Sequence, residues 1–333
     1  MPEVIGDNID RLCAIEMRTA EVEGGISRGV LQPLFAAARE AAGAPMSYLA
    51  ARGLIQHVSA GDRVLVLCGS GSPPFLPFGE TDGPLGGAAV ARALDLGLGA
   101  KPVLICEAHM MGPNRAAWSA AGLALHLEEI FAVRPHSALA IAFPYGMDRR
   151  DEIESLFDEH QPAAVVFVER TGPNADGVFH SITGMSKKPD EVLANHLFAE
   201  VARERGIFTI GVGDGGNEVG FGNIHEQAKA IQPASHAITV TKTDVLVCAA
   251  ISNWGGYGIA AMLGYLLGNP DLVQDPDTEY RMLAESVKMG AADGLYTSPT
   301  MHVDGTSWQT QQALVTMLRE LVANGLKEVR RAF

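Results

Sequence analysis

Short aliphatic runs alternate with longer helical patterns along this 333-residue chain. The runs contain few polar positions, which is typical of strands covered on both faces by helices. Regular alternation of strand and helix is the pattern of parallel βαβ units. It predicts strands at residues 63–68, 102–106, 138–142, 163–168, 207–210 and 245–249. It predicts helices at residues 27–52, 84–97, 148–159, 189–205, 217–230, 255–267, 276–290 and 308–329.

This alternation predicts a three-layer α/β/α fold with a mainly parallel, Rossmann-like sheet. We interpret residues 1–333 as a single α/β domain, because no Pro/Ser/Gly linker, low-complexity tract or repeat divides the sequence. Residues 1–55 are expected to form a helical lead-in, residues 56–270 the sheet core, and residues 271–333 a helical cap. A short irregular piece is expected at residues 296–306.

The composition narrows the classes of partner that the chain could bind. With 25 Lys and Arg against 39 Asp and Glu, the net charge is -14, and no basic cluster could follow a nucleic acid or an anionic membrane. The longest apolar segment, residues 254–268, is shorter than the roughly 20 residues that span a bilayer. The N-terminus lacks the basic residues of a targeting segment, and the four cysteines show no CxxC spacing. We expect a cytoplasmic protein with reduced cysteines that binds a small molecule, and the sequence leaves a homo-oligomer open.

Ligands of an open parallel sheet bind beyond the carboxyl ends of its strands, so the loops that leave those ends form the candidate site. The loop after the first strand begins with a Gly-Ser-Gly turn at residues 69–71, where backbone N–H groups could approach an anion. It ends with Glu80, Thr81 and Asp82 before a helix. A helix cap explains Thr81 or Asp82, but it does not explain Glu80.

The fourth strand ends directly at Glu169 and Arg170. This charged pair is either an ion pair that braces the loop or a substrate clamp, since Arg binds carboxylates in a planar two-point geometry. Asn174, further along, is a turn residue or a ligand contact. His180 is a proton shuttle or a structural group.

The next strand leads into "GVGDGGNEVG", residues 211–220, whose glycines match the GxGxxG spacing of a dinucleotide-binding turn. Asp214 lies between those glycines, where its carboxylate would repel a pyrophosphate, so no nucleotide is expected. Asn217 could cap the helix that follows. Together with Glu218, the loop could instead present carboxylates to an ammonium group or a divalent cation such as Mg²⁺ or Mn²⁺. A tight turn with solvated acids is the alternative.

The sixth strand is followed by Ser252, Asn253 and Trp254 at a helix start. This segment could hold a carboxylate on backbone N–H groups and close the site with an aromatic wall, or it could simply pack the helix. His302 and Asp304 occur near the C-terminus, and the sequence does not place them relative to the sheet.

Together the loops predict an acid-rich pocket that could bind a metal or hold a substrate amine while neighbouring carboxylates exchange protons. Its acids are Glu80, Asp82, Glu169, Asp214, Glu218 and Asp304. Residues 79–84, 169–174 with Gly177 and His180, and 211–218 resemble the D-glutamate cyclase family over about residues 28–310. The resemblance implies conversion of D-glutamate into 5-oxo-D-proline and water. A related amino acid or a lactam is the alternative substrate.

Lactam formation mainly requires a folded substrate and control of protons and charge. We assign the catalytic steps to four acids: Asp214 or Glu218 would bind and deprotonate the amine, while Glu169 or Glu80 would protonate the leaving oxygen. The predicted metal ligands are Asp214, Glu218 and Asp82. Arg170 and the backbone of residues 252–256 would hold a carboxylate, and residues 69–71 would stabilise the oxyanion. The full substrate-binding set is Gly69, Ser70, Gly71, Thr81, Asp82, Arg170, Asn174, His180, Asn217, Ser252, Asn253 and Trp254.

Two other functions remain open at this point. The GxGxxG spacing alone favours an NAD(P)-binding oxidoreductase, and the same acidic pocket could belong to a non-catalytic amino-acid-binding protein.

Overall fold

A six-stranded parallel sheet forms the centre of the molecule, and the computed structural model describes residues 1–17, 28–71 and 73–328. The strand order is β3-β2-β1-β4-β5-β6, and every neighbouring pair is parallel. The strands are β1 Arg63–Cys68, β2 Lys101–Cys106, β3 Leu139–Ala142, β4 Ala164–Val168, β5 Phe208–Gly213 and β6 Val245–Cys248. With helices on both faces, the predicted three-layer α/β/α fold is confirmed.

Twelve α-helices are found in the described part of the chain. They are α1 Pro2–Cys13, α2 Leu31–Ala42, α3 Met46–His57, α4 Pro84–Leu98, α5 Met111–Ala120, α6 Glu128–Val133, α7 Arg150–His160, α8 Asn195–Glu204, α9 His225–Ile231, α10 Ser252–Leu266, α11 Pro276–Lys288 and α12 Trp308–Leu326. A two-stranded antiparallel hairpin, β7 His302–Val303 with β8 Thr306–Ser307, precedes α12. None of the described helices is long and apolar enough to cross a membrane.

Two hydrophobic cores explain why the strands are apolar throughout. Val64 and Val66 of β1 face the core built with α3, α4 and α10, whereas Leu65 and Leu67 face the core built with α7 and α8. Burial of each such side chain contributes roughly 1.5–3 kcal/mol, so both faces of the sheet stabilise the fold. The four cysteines are buried and free.

Close contact between α4 and α10 positions the start of both helices. A Cβ atom on Gly256 would lie 2.6 Å from the carbonyl oxygen of Gly86, and one on Gly86 would lie 2.7 Å from the Cα of Asn253. Only glycine allows two helix backbones to approach this closely. The contact brings the residues just before α4 to the N-terminus of α10, which is where the candidate site begins.

Several predicted helices are divided or shortened in the structure. The predicted helix 27–52 is two helices, α2 and α3, separated at Gly43, whose φ of 69° ends α2, and at Pro45. Residue 27 and residue 329, the predicted end of α12, lie outside the described residues. The predicted helix 189–205 is a short 3-10 turn followed by α8.

The segment around the glycine loop differs most from the sequence expectation. Strand β5 continues to Gly213, beyond the predicted end at residue 210, and the predicted helix 217–230 is a 3-10 turn at Phe221–Ile224 followed by α9. The loop folds back onto the strand so closely that a Cβ on Gly211 would lie 2.1 Å from the carbonyl oxygen of Val219. The glycines therefore serve close packing of backbone on backbone. Helices α5 and α6 were not predicted.

Candidate active site

The candidate site lies at the topological switch point of the sheet. The chain runs outward from β1 to β2 and β3 on one side and from β4 to β5 and β6 on the other, so a crevice opens between the carboxyl ends of β1 and β4. The loops that leave β1, β4 and β5 carry Asp82, Glu169 and Asp214. Candidate ligand atoms of these three carboxylates all lie within 4.8 Å of one another. We call these three residues the acid cluster.

Asp82 is held at the N-terminus of α10. Its carboxylate accepts hydrogen bonds from the backbone N–H groups of Gly83 at 2.9 Å, Ser252 at 2.9 Å and Asn253 at 2.7 Å. The free N–H groups of a helix start favour a negative charge there. Burial nevertheless raises the pKa of Asp82 well above its ordinary value, and the carboxylate of Asp304 raises it further.

Glu169 follows β4 with a positive φ of 55°, a conformation that is uncommon for any residue except glycine. Its carboxylate accepts a 2.5 Å hydrogen bond from the hydroxyl of Ser252. A Cβ on Gly83 would lie 2.9 Å from the Cβ of Glu169, so the loop before α4 packs directly against it. Burial raises the pKa of Glu169, and Glu218 and Glu80 add to the rise. Such local strain is typical of functional sites.

Glu80 and Asp304 extend the acid cluster toward the C-terminal hairpin. A Cβ on Gly294 would lie 2.7 Å from a carboxylate oxygen of Glu80 and 3.1 Å from one of Asp304, so both acids converge on this glycine. Asp304 has a φ of 47°, and its loop is fixed by Asp293, which accepts N–H bonds from Leu295, Tyr296 and Gly305. Burial, Asp304 and Asp82 raise the pKa of Glu80. The structure thus places Asp304 among the predicted acids.

Glu218 binds backbone N–H groups of its own loop. It lies outside the acid cluster, although it was predicted as a metal ligand. Its two carboxylate oxygens accept backbone N–H bonds from Gly215 at 3.0 Å and Gly216 at 2.7 Å. These are the N–H groups that a pyrophosphate would need in a dinucleotide-binding turn. Glu169, which was not among the predicted metal ligands, takes its place beside Asp82 and Asp214.

Arg170 braces the loops, which was one of the two alternatives for this residue. Its guanidinium donates to Glu107 at 2.8 Å, to Asn195 at 3.0 Å and to the carbonyl oxygen of Gly69. Although burial opposes both charges, the ion pair lowers the pKa of Glu107 and raises that of Arg170. The partner of Arg170 is therefore Glu107 and not its neighbour Glu169. We call Glu107, Arg170 and Asn195 the ion-pair brace.

The predicted carboxylate-binding segment 252–256 instead supports the start of α4. The N–H groups of Ser252 and Asn253 bind Asp82, and those of Trp254 and Gly255 bind the carbonyl of Ile251, so these donors are occupied. The Asn253 side chain accepts from the N–H groups of Gly83 and Gly86 and donates to the carbonyl of Thr81. A helix start that packs against another helix start uses its donors within the protein.

Trp254 and Thr81 were predicted to bind substrate and are structural in the fold. Trp254 is 1% exposed, and its indole nitrogen donates to Gln311 at 2.7 Å, so its polar group is used within the fold. Thr81 donates its hydroxyl to the carbonyl of His302 at 2.8 Å, which ties the loop before α4 to the C-terminal hairpin. The hydroxyl of Ser252, by contrast, contacts Glu169.

Three further residues that were predicted to bind substrate instead form contacts within the protein, in or beside the long segment after β4. Asn174 accepts from the N–H groups of Asp176 and Val178, which is a turn, and His180 packs edge-on against His236. Asn217 donates to the carbonyl of His180 and does not cap a helix, because α9 begins only at His225. These contacts favour the structural alternative for Asn174, His180 and Asn217.

The Gly69–Gly71 turn borders the site but is partly committed to other contacts. The N–H of Gly69 donates to the carbonyl of Val168, so it cannot serve as an oxyanion donor. The carbonyl of Ser70 accepts the N–H of Glu80 at 2.9 Å. The hydroxyl of Ser70 and the carbonyl of Gly71 accept from the ammonium of Lys187 at 3.2 and 3.3 Å.

Four polar residues near the site were missed from the sequence. Glu107 follows β2 directly, so the strand-end rule should have included it. His109 and Tyr145 contact each other, and their ring centroids lie 5.5 Å apart. Lys187 lies far beyond the end of β4, and no sequence signal marks it.

Comparison with known proteins identifies the family of the chain. A model of the family described as D-glutamate cyclase-like, C-terminal, matches residues 37–319. The chain belongs to this family. The resemblance inferred from the three loops is therefore confirmed.

One curated relative is the mitochondrial D-glutamate cyclase of Homo sapiens, which is 36% identical over 104 residues. The match covers 31% of this chain and 17% of the human protein. The chain is thus similar to a small part of that enzyme, and the activity in the enzyme's name belongs to the human protein.

Proposed function

We propose that this D-glutamate cyclase-like protein is a hydro-lyase that cyclises D-glutamate to 5-oxo-D-proline and water. The observation that carries the proposal is the acid cluster, whose three carboxylates lie within 4.8 Å of one another at the switch point of the sheet. Three like charges brought this close form a site for positive charge or for protons, because each carboxylate disfavours ionisation of the others.

The stoichiometry of the reaction matches such a site. The substrate ammonium loses two protons, its nitrogen bonds to the side-chain carboxyl carbon, and one carboxyl oxygen leaves with two protons as water. The protons lost and gained are equal in number, so the enzyme needs groups that pass them across a short distance. Adjacent carboxyls with raised pKa values can do this near neutral pH.

The contacts favour particular roles for the acids. Asp214, at the end of β5, would receive protons from the ammonium, whereas Glu169 or Glu80 would hold a proton and donate it to the leaving oxygen. Burial and neighbouring carboxylates raise the pKa of both Glu169 and Glu80, as a proton donor requires. Both are half-buried and can face a ligand, while Glu218 would position the loop.

A divalent cation such as Mg²⁺ or Mn²⁺ would fit the same group. Asp82, Glu169 and Asp214 offer hard oxygen donors, and the oxygens of Asp82 keep lone pairs beyond their N–H bonds. When bound, such a cation would polarise the reacting carboxyl group. With Glu169 in that ligand set, Glu80 would be the remaining proton donor.

Turnover of the two enantiomers tests the proposal directly. Purified protein is incubated with D-glutamate or L-glutamate, with and without a chelator, and 5-oxoproline is followed by chiral chromatography. We expect 5-oxo-D-proline from D-glutamate. Product from neither enantiomer would contradict the proposal, and the chelator arm shows whether a cation takes part.

The backbone N–H groups of the glycine loop already bind a carboxylate, which argues against the oxidoreductase alternative. Because Glu218 accepts the N–H groups of residues 214–216, a pyrophosphate would have to displace a carboxylate from its own loop. A protein that binds the amino acid without turnover is the remaining alternative, and calorimetric binding of D-glutamate without product would favour it.

A further inference from the structure

Lys187 brings a positive charge to the edge of the acidic site. It lies in the segment after β4 whose bridges, Pro173 with Phe179 and His180 with Ser186, fold the chain back toward the sheet. The side chain is half-buried, and its ammonium donates to Ser70 at 3.2 Å and to Gly71 at 3.3 Å. Both acceptors are neutral.

Lys187 and Arg170 differ in the groups that surround their positive charges. Arg170 forms an ion pair with Glu107 at 2.8 Å, whereas no carboxylate of the described residues lies within 4.0 Å of the Lys187 ammonium. Burial lowers the pKa of Lys187, and the more distant Glu80 and Glu107 offset this only in part. A desolvated cation without an adjacent anion is favourable for binding one.

A small recess lies in front of this ammonium. Its lining includes Ser70 and Lys187 together with Glu107 and Arg170, which form an ion pair, and Glu191, which pairs with Lys188. The Gly69–Gly71 turn links the recess to the acid cluster: Gly69 lines the recess, and a Cβ on Gly83 would lie 2.5 Å from Gly69 and 2.9 Å from the Cβ of Glu169. Glu80 and Glu169 are also close enough to raise the pKa of Lys187 against the effect of burial. A ligand beside this turn could therefore face the acids at one end and the lysine at the other.

We propose that Lys187 and the hydroxyl of Ser70 bind the carboxylate of the substrate that does not react. This inference rests on the proposed function, since it deepens the cyclase site. The acids would attract the ammonium of glutamate but repel both of its carboxylates, so a cation must offset that repulsion. The reacting carboxyl can be neutralised by a proton, whereas the α-carboxylate keeps its charge and needs Lys187.

Removal of the α-carboxylate from the substrate tests this pairing. D-glutamate is compared with its α-amide, in which a neutral carboxamide replaces that carboxylate. In the wild type we expect kcat/KM to be roughly tenfold to a hundredfold higher for D-glutamate. Lys187→Met should remove most of this preference, chiefly through a higher KM for D-glutamate, while kcat/KM for the α-amide changes little.

Two variants control the measurement. Lys187→Arg keeps the charge and should retain most of the preference, and Lys229→Met removes an exposed lysine on α9 and should match the wild type. If Lys187→Met slows both substrates equally, or lowers the melting temperature while the preference stays, Lys187 is structural and the proposal is wrong.

Calorimetric binding separates this proposal from the cyclase reaction. If the wild type binds D-glutamate but forms no product, the proposed function fails, and the same preference is then measured as a ratio of dissociation constants for D-glutamate and its α-amide. Loss of that ratio in Lys187→Met supports the subsite. Absence of D-glutamate binding to the wild type overturns the subsite together with the reaction.

Discussion

Two groups of buried charges lie beside the Gly69–Gly71 turn, and they are built in opposite ways. In the ion-pair brace, Arg170 faces Glu107, and each charge lowers the free energy of the other. In the acid cluster, carboxylate faces carboxylate, and burial together with neighbouring carboxylates raises the pKa of both Asp82 and Glu169. The brace can stabilise the fold without a ligand, whereas the cluster gains its full stability only when a cation or a proton joins it.

This difference separates the residues that hold the site together from those that we propose take part in the reaction. The brace joins the ends of β1, β2 and β4 to α8, so its removal should unfold the site. Mutual repulsion in the acid cluster costs stability, so neutral replacement of Glu169 or Asp214 should leave the fold intact while it abolishes function. Asp82 differs, because it also binds three backbone N–H groups. Such a trade-off is typical of active sites, where activity requires arrangements that are unfavourable for folding.

The largest effect on stability is expected at the brace. Arg170→Met leaves Glu107 buried without a partner and should lower the free energy of unfolding by about 3–5 kcal/mol, measured by urea denaturation. The double variant Glu107→Gln with Arg170→Met should lose less than Arg170→Met alone, because no buried charge remains unpaired. A loss below about 1 kcal/mol in Arg170→Met would contradict the structural role of the pair.

The acid cluster should respond in the opposite way. Glu169→Gln keeps the side-chain shape but cannot hold and donate a proton, so cyclisation of D-glutamate should fall by roughly 10²–10⁴-fold. Its free energy of unfolding should be equal to that of the wild type or higher, because repulsion with Glu80 and Glu218 is removed. Glu226→Gln, an exposed acid on α9, is the matched control. Unchanged turnover in Glu169→Gln would rule out its role as proton donor.

Glu279 shows how a buried acid behaves outside the site. Its carboxylate accepts from Tyr257 and Gln274, and burial raises its pKa from 4.5 to about 7. Because the folded pKa is higher than the unfolded one, this acid contributes stability that is fully present below about pH 4.5 and is lost as the pH rises through about 7.

Glu279→Gln should therefore flatten the pH dependence of stability between about pH 4.5 and 7. The span is roughly 3 kcal/mol at about 1.4 kcal/mol for each pKa unit. Gln274 has an unpartnered amide oxygen that can accept from the new amide after it rotates. Glu285→Gln on the same helix is exposed and should leave the profile unchanged. An unchanged profile in Glu279→Gln would show that its pKa is ordinary.

The smallest effect is expected at Trp254. Trp254→Phe keeps most of the packing but leaves Gln311 without its donor, which should cost about 1–2 kcal/mol in thermal denaturation. KM for D-glutamate should stay the same, because the Trp254 indole is buried and bonded to Gln311. A higher KM with unchanged stability would instead support the prediction from the sequence that Trp254 forms an aromatic wall of the site.

The sequence predicts the sheet well because parallel strands are buried on both faces, which makes their runs apolar. The strand-end rule then brings Asp82, Glu169 and Asp214 to one crevice. It cannot tell which polar groups are already bonded within the protein. Trp254 finds its partner 57 residues away in Gln311, and Arg170 finds Glu107 63 residues away, so both looked available in the sequence.

Lys187 could not be found for a related reason. A loop carries it back to the Gly69–Gly71 turn, and loop paths depend on contacts that no local pattern records. The same limit applies to Asp304, whose place beside Glu80 follows from the turn that Asp293 holds. Side chains at strand ends are predictable, whereas side chains that distant loops bring to the site are not.

The most direct test of the central claim is to measure turnover and stability together in Asp214→Asn. The account predicts that cyclisation of D-glutamate to 5-oxo-D-proline is abolished while the melting temperature stays at or above that of the wild type. Retained turnover, or a loss of turnover that accompanies unfolding of the protein, would contradict a catalytic role for the acid cluster.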